Sequence, residues 1–373
     1  MKHLLFTSKI FKGSKYGEGH PLNIDRVWPS LELLKKMRWI DKDDVIFNDI
    51  ASINDLLLFH DKNYIEALQY AEKHQDLPNQ LKLKYKIGVS NNPIFKDVFS
   101  RPASSANSSM NAVKYLFDDK SDKILNFSGG THHGRSSFAS GFCFLNDCIL
   151  SIIKAINLGF KKILYIDIDA HHCDAVQDYF IDHDNVFIIS VHERNRWPKT
   201  GIISDCSHKN LLNIPVPENL NDAEMEKILK NLILPYSKTQ KFDLTIIQAG
   251  TDCLNEDPQS KMKLSNNIYW YLLSKLKELT KKTLILGGGG YNPYITAKAW
   301  AGNWLVLNNN EHLLNLDLNK ECRKLLCSLK WDNIRVKNGI PEKWLCSWRD
   351  PQEKNIVRYE ILKLIDDILE YKK

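Results

Sequence analysis

The sequence predicts an α/β protein built on an open, mainly parallel sheet with helices on both faces, and three observations lead there. Apolar runs rich in Ile, Val, Leu and Phe recur along the chain without strict alternation, as in strands buried on both faces. Segments with helical spacing of apolar residues lie between them, the pattern that covers a parallel sheet on each side. Chemistry-bearing residues cluster at the carboxyl ends of the apolar runs, the edge where open parallel sheets hold their ligands.

In chain order, strands are expected in LLFTSKI (4–10), ILNFSGG (124–130), KILYIDID (162–169), VFIISVH (186–192), LTIIQAG (244–250) and TLILGGGG (283–290). Helices are expected over 140–159, 222–236, 265–281 and 294–307, with a last amphipathic helix over 356–371. No internal repeat, low-complexity tract or Pro/Gly/Ser linker breaks the series, so residues 1–373 are read as one domain.

Composition narrows the class. Hydrophobic residues make up 43% of the chain, enough for a large core, and the net charge of +6 is dispersed. The densest basic stretch, LKLKYK (81–86), alternates with apolar residues and reads as half-exposed surface, so no nucleic-acid partner is expected. No apolar run has transmembrane length, and MKHLLFTSKIF is too short for a signal-peptide core and lacks a cleavage site. No membrane partner and a cytoplasmic location are therefore expected. Eight cysteines without a CxxC pair read as buried free thiols in a reducing compartment.

Five polar clusters end the strands: GGTHH, DIDAHHCD, SVHE, AGTDC and GGGGYN. In an extended segment Asp167, Asp169 and His171 project to one side, which makes Asp169 and His171 natural ligands of one divalent metal. Asp252 in AGTDC is the best-placed third ligand. Two carboxylates and one imidazole leave a position open, as a catalytic zinc site requires, although oxygen-rich ligation also suits Fe2+ or Co2+. His132 and His133 can move protons beside such a metal if carboxylates fix their other nitrogens, and Asp167 and Asp174 are the acids left for that task. Tyr291, directly after four glycines, is placed to donate its hydroxyl to a developing oxyanion. Bland readings exist for each motif: a solvated strand end for DID, a surface loop for GGTHHG, and packing under the next helix for Tyr291. The glycine run lacks the Lys-Ser/Thr of a P-loop and the spacing of a dinucleotide turn, which argues against a phosphate cradle.

In the order GGTHHG, ASGFCFLND, DIDAHHCD, SVHE, AGTD, GGGGYN, the chain resembles the zinc-dependent histone deacetylase superfamily, in particular its bacterial class I-like members, among them acetoin-utilisation proteins. The resemblance runs from HPLNIDRV near residue 20 to GGGGYNPYITAKAW and implies the open arginase/deacetylase sheet. It implies one Zn2+ held by Asp169, His171 and Asp252, His132 paired with Asp167, and His133, the expected proton shuttle, paired with Asp174. Tyr291 would polarise the acetyl carbonyl. Gly141 and Phe142 would line an acyl-lysine tunnel opposite Trp197, with Gly289 among the substrate-contacting positions. A structural K+ would sit near Asp167, Ser190 and the backbone of Asp169, His171 and Val191. The implied partner is an acetylated protein lysine or a small acetylated amine such as an acetylpolyamine; the oligomeric state stays open.

Three departures from the family pattern stand out. The family's HHGDG is His172-Cys173-Asp174-Ala175 here, so two glycines are lost and Cys173 and Ala175 must accept negative φ or carry strain. Asn91 in SNNP takes the place of a rim aspartate that grips the substrate backbone, unless Asn92 or a shifted loop takes over. Gln259 occupies a rim position that is usually apolar. Two rivals share the fold. A two-manganese ureohydrolase wants Asp-Ala-His-x-Asp, and here the aspartate arrives one residue late. A non-catalytic scaffold would be expected to have lost a ligand or the tyrosine, and none is lost.

Overall fold

The computed structural model describes residues 2–352 and 355–372. Among them eight strands form one sheet: β1 (Leu4–Thr7), β2 (Val45–Phe47), β3 (Lys123–Asn126), β4 (Ile163–Asp167), β5 (Val186–Glu193), β6 (Leu211–Val216), β7 (Leu244–Gln248) and β8 (Lys282–Leu286). Their order is β2-β1-β3-β8-β7-β4-β5-β6, and every pairing is parallel. The expected mainly parallel α/β sheet is therefore present.

Alternation along the strands feeds two cores. Leu125, Leu164, Ile247 and Ile285 enter one cluster with Leu31, Leu34, Leu273, Trp300 and Ile365 from helices Val27–Met37, Asn266–Leu276, Pro293–Leu307 and Tyr359–Tyr371. Ile124, Ile163, Tyr165, Ile246 and Leu284 enter the other with Val113, Leu116, Ile149 and Ile152 from helices Ser100–Phe117 and Asp147–Leu158. A third cluster, containing Tyr64, Leu68, Tyr85, Phe95, Phe99 and Phe144, lies among the helices near the amino end. It buries the foot of the 139–145 loop and so fixes a wall of the site described below.

Several boundaries differ from the sequence expectation. β1 stops at Thr7, and a 3-10 turn takes Lys9–Lys12. The strand expected over 162–169 ends at Asp167, so Asp169 and His171 lie on a turn after β4. Residues 140–146 are loop, and the helix begins at Asp147 because the Asn146 side chain caps it by accepting from Ile149 N–H. The helix expected over 265–281 ends at Leu276. LKLKYK is half-exposed surface as expected, its first five residues lying in a short helix, Asn79–Tyr85, that Lys86 ends.

Candidate active site

Asp169 and His171, just past β4, meet Asp252, just past β7, because β4 and β7 are adjacent and in register from Ile163–Leu244 to Asp167–Gln248. One ligand atom from each of the three lies within 4.8 Å of the others. His171 Nδ1 stands 3.0 Å from Asp169 Oδ1 and 2.9 Å from Asp252 Oδ2. Burial alone would lower the His171 pKa, but the two carboxylates outweigh it and lift it to about 10. Two buried carboxylates turned toward one imidazole are a donor set for a divalent cation, so the residues fit the expected metal.

The remaining carboxylate oxygens are held. Asp169 Oδ2 accepts from Gly289 N–H (2.7 Å) and the Gln248 amide (2.8 Å), while Asp252 Oδ1 accepts from Ala170 N–H (2.8 Å). The contact at Gly289 is close enough to require glycine: a Cβ there would stand 2.0 Å from Asp252 Oδ2.

Both expected His-Asp pairs form. His132 Nδ1 donates to Asp167 Oδ2 at 2.7 Å, and His133 Nδ1 donates to Asp174 Oδ1 at 2.7 Å. The environments diverge. Burial opposes charge on His132, but Asp167 and Asp169 prevail and raise its pKa to about 9. At His133, burial and the neighbouring His132 outweigh Asp174 and lower it to about 3. Asp174 is shared, since Arg135 Nη2 holds its other oxygen at 2.5 Å. Asp167 also accepts from the Tyr165 hydroxyl at 2.6 Å. Asp167 and Ser190 are opposite each other in the β4–β5 register, and Ser190 Oγ is 2.9 Å from His192 Nδ1.

Tyr291 lines the same pocket, and burial together with Asp252 and Asp169 keeps its phenol protonated well above the usual range. Its ring meets Phe142 edge-on at 6.1 Å. Phe142, Gly141, Trp197, His133 and His171 form a narrow mouth, with Asn91 and Gln259 on its rim. Gly141 has φ 54°, and a Cβ there would stand 2.5 Å from the Trp197 ring and 2.6 Å from His133. Every site position expected from sequence thus falls in or beside this pocket, apart from Ser190 and Val191 one strand further along.

Sequence reasoning missed the groups that hold these residues in place. Asp147, fully buried, accepts from Gly130 N–H, Thr131 N–H, Thr131 Oγ1 and Ser109 Oγ, which shapes the turn presenting His132 and His133. Asp257 accepts from Tyr291 N–H (2.6 Å) and Gln259 N–H (2.9 Å), linking the tyrosine to the rim loop. Arg26 Nη1 donates to Gly288 O and Gly290 O, both at 2.9 Å, and braces the glycine run from behind. Asp147 stood as a single acid inside ASGFCFLND and Asp257 a few residues past AGTDC, but nothing local distinguishes them from surface carboxylates.

The family model for the histone deacetylase domain matches residues 20–307. The chain belongs to the histone deacetylase family. It is 31% identical over 314 residues to Histone deacetylase clr6 of Schizosaccharomyces pombe, covering 82% of this chain and 76% of that one. To Histone deacetylase 6 of Arabidopsis thaliana it is 29% identical over 292 residues, 76% of this chain but 62% of the relative, so it spans about three-fifths of that protein. A crystal structure of an HDAC homolog from Aquifex aeolicus superposes with a TM-score of 0.92 at 32% identity, covering 100% of both chains, and the same figures hold for an HDAC homolog complexed with SAHA.

In this histone deacetylase family member the two lost glycines cause no strain. Cys173 sits at φ −76°, preceding the helix Asp174–Phe180 that begins with Asp174 and Ala175. The rim departure is different. Asn91 keeps a left-handed φ of 61°, its carbonyl accepts from His20 Nε2, and its side chain, at the mouth, has no hydrogen-bond partner among the described residues. Asn92 cannot replace it. That side chain is buried, donates to Lys86 O and Ala139 O, and accepts from Phe142 N–H.

Proposed function

We propose that this chain is a single-domain zinc-dependent amidohydrolase of the bacterial class I-like kind, removing acetyl groups from acetyl-lysine or a related acetylated amine. The observation that carries the reading is the convergence of Asp169, His171 and Asp252 with two His-Asp pairs and a protonated Tyr291 on one narrow pocket. Zn2+, or Fe2+ or Co2+ in its place, held by those three residues, would supply a Lewis acid for the carbonyl and lower the pKa of water.

The chain's own groups do the rest. Gly141, Phe142 and Trp197 admit a slender acyl-amine arm and exclude bulk water. Neutral His133, its Nδ1 committed to Asp174, offers Nε2 as the base that takes a proton and returns it to the leaving amine. His132, its Nδ1 committed to Asp167, presents Nε2 beside the developing oxyanion. Tyr291 donates its hydroxyl to that oxygen. A structural K+ at Asp167, Ser190 and the backbone of Asp169, His171 and Val191 would stiffen the turn that carries the ligands.

A small N-acetyl amine such as an acetylpolyamine is the second reading of the substrate, favoured by a rim whose Ser90, Asn91 and Gln259 carry no charge to hold a peptide backbone. A deacylation screen of the zinc-loaded protein against acetyl-lysine peptides, acetylpolyamines and small N-acetyl amines tests both. Hydrolysis of none of them would defeat the amidohydrolase reading.

A further inference from the structure

Two tight turns supply residues to the mouth of the pocket, Val89–Asn92 and Ser140–Cys143. In each, the carbonyl of the first residue accepts from the N–H of the fourth, at 2.9 and 2.8 Å. Both central residues of each are left-handed: Ser90 at φ 53° and Asn91 at 61°, Gly141 at 54° and Phe142 at 66°. A turn with two left-handed central residues favours Asn and Gly there. Ser90 and Phe142 do not suit it, and a bulky residue such as Phe142 persists in that conformation only where its surroundings hold it.

The holding groups converge on His20. Phe142 N–H donates to Asn92 Oδ1 at 3.0 Å, and Phe142 O accepts from the Tyr16 hydroxyl at 2.8 Å. The Phe142 ring meets the His20 ring edge-on, with centroids 4.5 Å apart at 78°. The other turn is held by the same histidine, whose Nε2 donates to Asn91 O at 3.1 Å. The direction of that bond is assigned from the second nitrogen: Leu22 N–H donates to His20 Nδ1 at 3.0 Å, so Nδ1 is bare and Nε2 carries the proton. Burial lowers the His20 pKa, which favours the neutral ring that this pattern needs. The ring lies nearly flat on Tyr16 at 4.8 Å and 19°, and Tyr16 stacks in turn on Phe95 at 4.6 Å. His20 thus commits its donor to one turn and its ring to the other, backed by an aromatic stack.

We infer that His20 is a positioning residue for substrate entry: it fastens the rim turn at Asn91 to the tunnel turn at Phe142 and so sets the spacing of the mouth. This rests on the amidohydrolase reading above. His20 is not among the residues lining the pocket or its mouth, so it acts through the two it holds. Asn91 faces whatever body carries the acylated amine, whereas Phe142 walls the path of the slender arm and meets Tyr291 further in. The two halves of the contact can be taken apart by substitution. His20→Phe keeps an aromatic ring against Phe142 and Tyr16 and removes the donor to Asn91 O. His20→Gln keeps an N–H donor within reach of Asn91 O and removes the ring.

The test has two arms, both on the full chain and these two variants. Amide hydrogen exchange, read by mass spectrometry without substrate, reports each turn separately. His20→Phe is expected to speed exchange over residues 88–92 on the order of tenfold and to leave residues 140–144 near wild type; His20→Gln is expected to do the reverse. The kinetic arm uses the zinc-loaded proteins with an acetyl-lysine peptide and a small N-acetyl amine. His20→Phe should raise KM for the peptide about fivefold, the worth of one hydrogen bond, and leave KM for the small amine near wild type. His20→Gln should raise KM for both, because both thread past Phe142. In every case kcat should stay within about twofold, since no reacting group is touched. Exchange unmoved at both turns, or raised across the whole sheet, overturns the fastening role. Exchange moved as expected with KM unchanged for both substrates overturns the role in substrate entry, and so does a fall in kcat shared by both variants and both substrates. If no amide were hydrolysed the amidohydrolase reading would fail, and the exchange arm would still decide whether His20 fastens the two turns.

Discussion

Asp252 does two jobs at once: Oδ2 faces His171 while Oδ1 accepts the Ala170 N–H, so the metal group and the turn after β4 share one carboxylate. Asp252→Ala should therefore lose stoichiometric zinc, read by elemental analysis, together with essentially all hydrolysis; full occupancy and activity would show the assigned ligand set to be wrong. Tyr291→Phe keeps the ring against Phe142 and removes one oxyanion donor. It should lower kcat on the order of 10²- to 10³-fold with zinc retained, and an unchanged kcat would reduce Tyr291 to packing. Asp257 touches no reacting atom, but it holds Tyr291 and Gln259 by their backbone N–H groups. Asp257→Asn presents an amide to two donors with only one oxygen to accept them. It should lower kcat on the order of tenfold while KM for a small acetyl amine stays near wild type, and a change confined to KM would assign Asp257 to the rim alone. The residues legible from sequence at this scale are those whose side-chain chemistry marks them, Asp169, His171, Asp252, His132, His133 and Tyr291, and the fold brings them together. Asp147, Asp257 and Arg26 were not, because their role lies in backbone groups far along the chain that a sequence does not place beside them.

Elements were legible where apolar runs were long. The runs around β3, β4, β5, β7 and β8 were expected, since each is flanked by polar or glycine-rich ends that bound it. β2 and β6 were missed for physical reasons: both lie at the sheet's edges, β2 has three half-exposed or exposed residues, and β6 carries Asn213 and Pro215 inside its run. Helix Ser100–Phe117 was missed because its buried face is mostly Ala and Ser until Met110, Val113 and Leu116 near its end. The last helix, Tyr359–Tyr371, was expected from its amphipathic spacing, but its anchor was not. Arg358, immediately before it, grips Glu224 in a fork, Nε to Oε1 at 2.6 Å and Nη2 to Oε2 at 2.8 Å, with the Glu224 side chain fully buried. Burial would raise the Glu224 pKa, but Arg358 and the Asn221 N–H outweigh it and lower it. A depressed folded pKa gives stability that is present above the unfolded glutamate value, near 4.3, and lost as pH falls through the folded value. Arg358→Ala should cost about 1–3 kcal/mol at pH 7, reduced from the cost of a wholly buried pair because Arg358 is one-third exposed. The penalty should shrink as pH falls below about 4. Denaturant melts of both proteins at pH 7 and pH 3.5 check this, and a penalty independent of pH would mean the arginine acts through packing.

At the scale of the whole molecule, the sheet brings five strand ends to one edge and the site forms there, which is why fold and chemistry could be read together from GGTHH, DIDAHHCD, SVHE, AGTDC and GGGGYN. What a sequence cannot place is the mouth, because it is assembled from separate loops around Asn91, Phe142, Trp197 and Gln259. Glu193 ties two of them, accepting from Arg196 Nε at 3.0 Å and from Lys261 N–H at 2.8 Å, so the Trp197 and Gln259 loops are joined into one wall. Against that fixed wall the opposite rim decides what is gripped. A carboxylate at position 91 would accept from substrate backbone N–H groups through two charged oxygens, whereas Asn91 has one neutral oxygen and turns a donor toward donors. Charge-assisted bonds are roughly twice as strong as neutral ones, which corresponds to about 1–2 kcal/mol, or on the order of tenfold in kcat/KM. The left-handed backbone at position 91 suits Asp as well as Asn, so Asn91→Asp should fold without strain. Asn92 is locked beneath the Phe142 loop and cannot compensate. Asn91→Asp should therefore raise kcat/KM for acetyl-lysine peptides on the order of tenfold and leave a small N-acetyl amine, which has no backbone to grip, nearly unchanged. Equal effects on both substrates, or none on either, would show that position 91 does not read the substrate backbone.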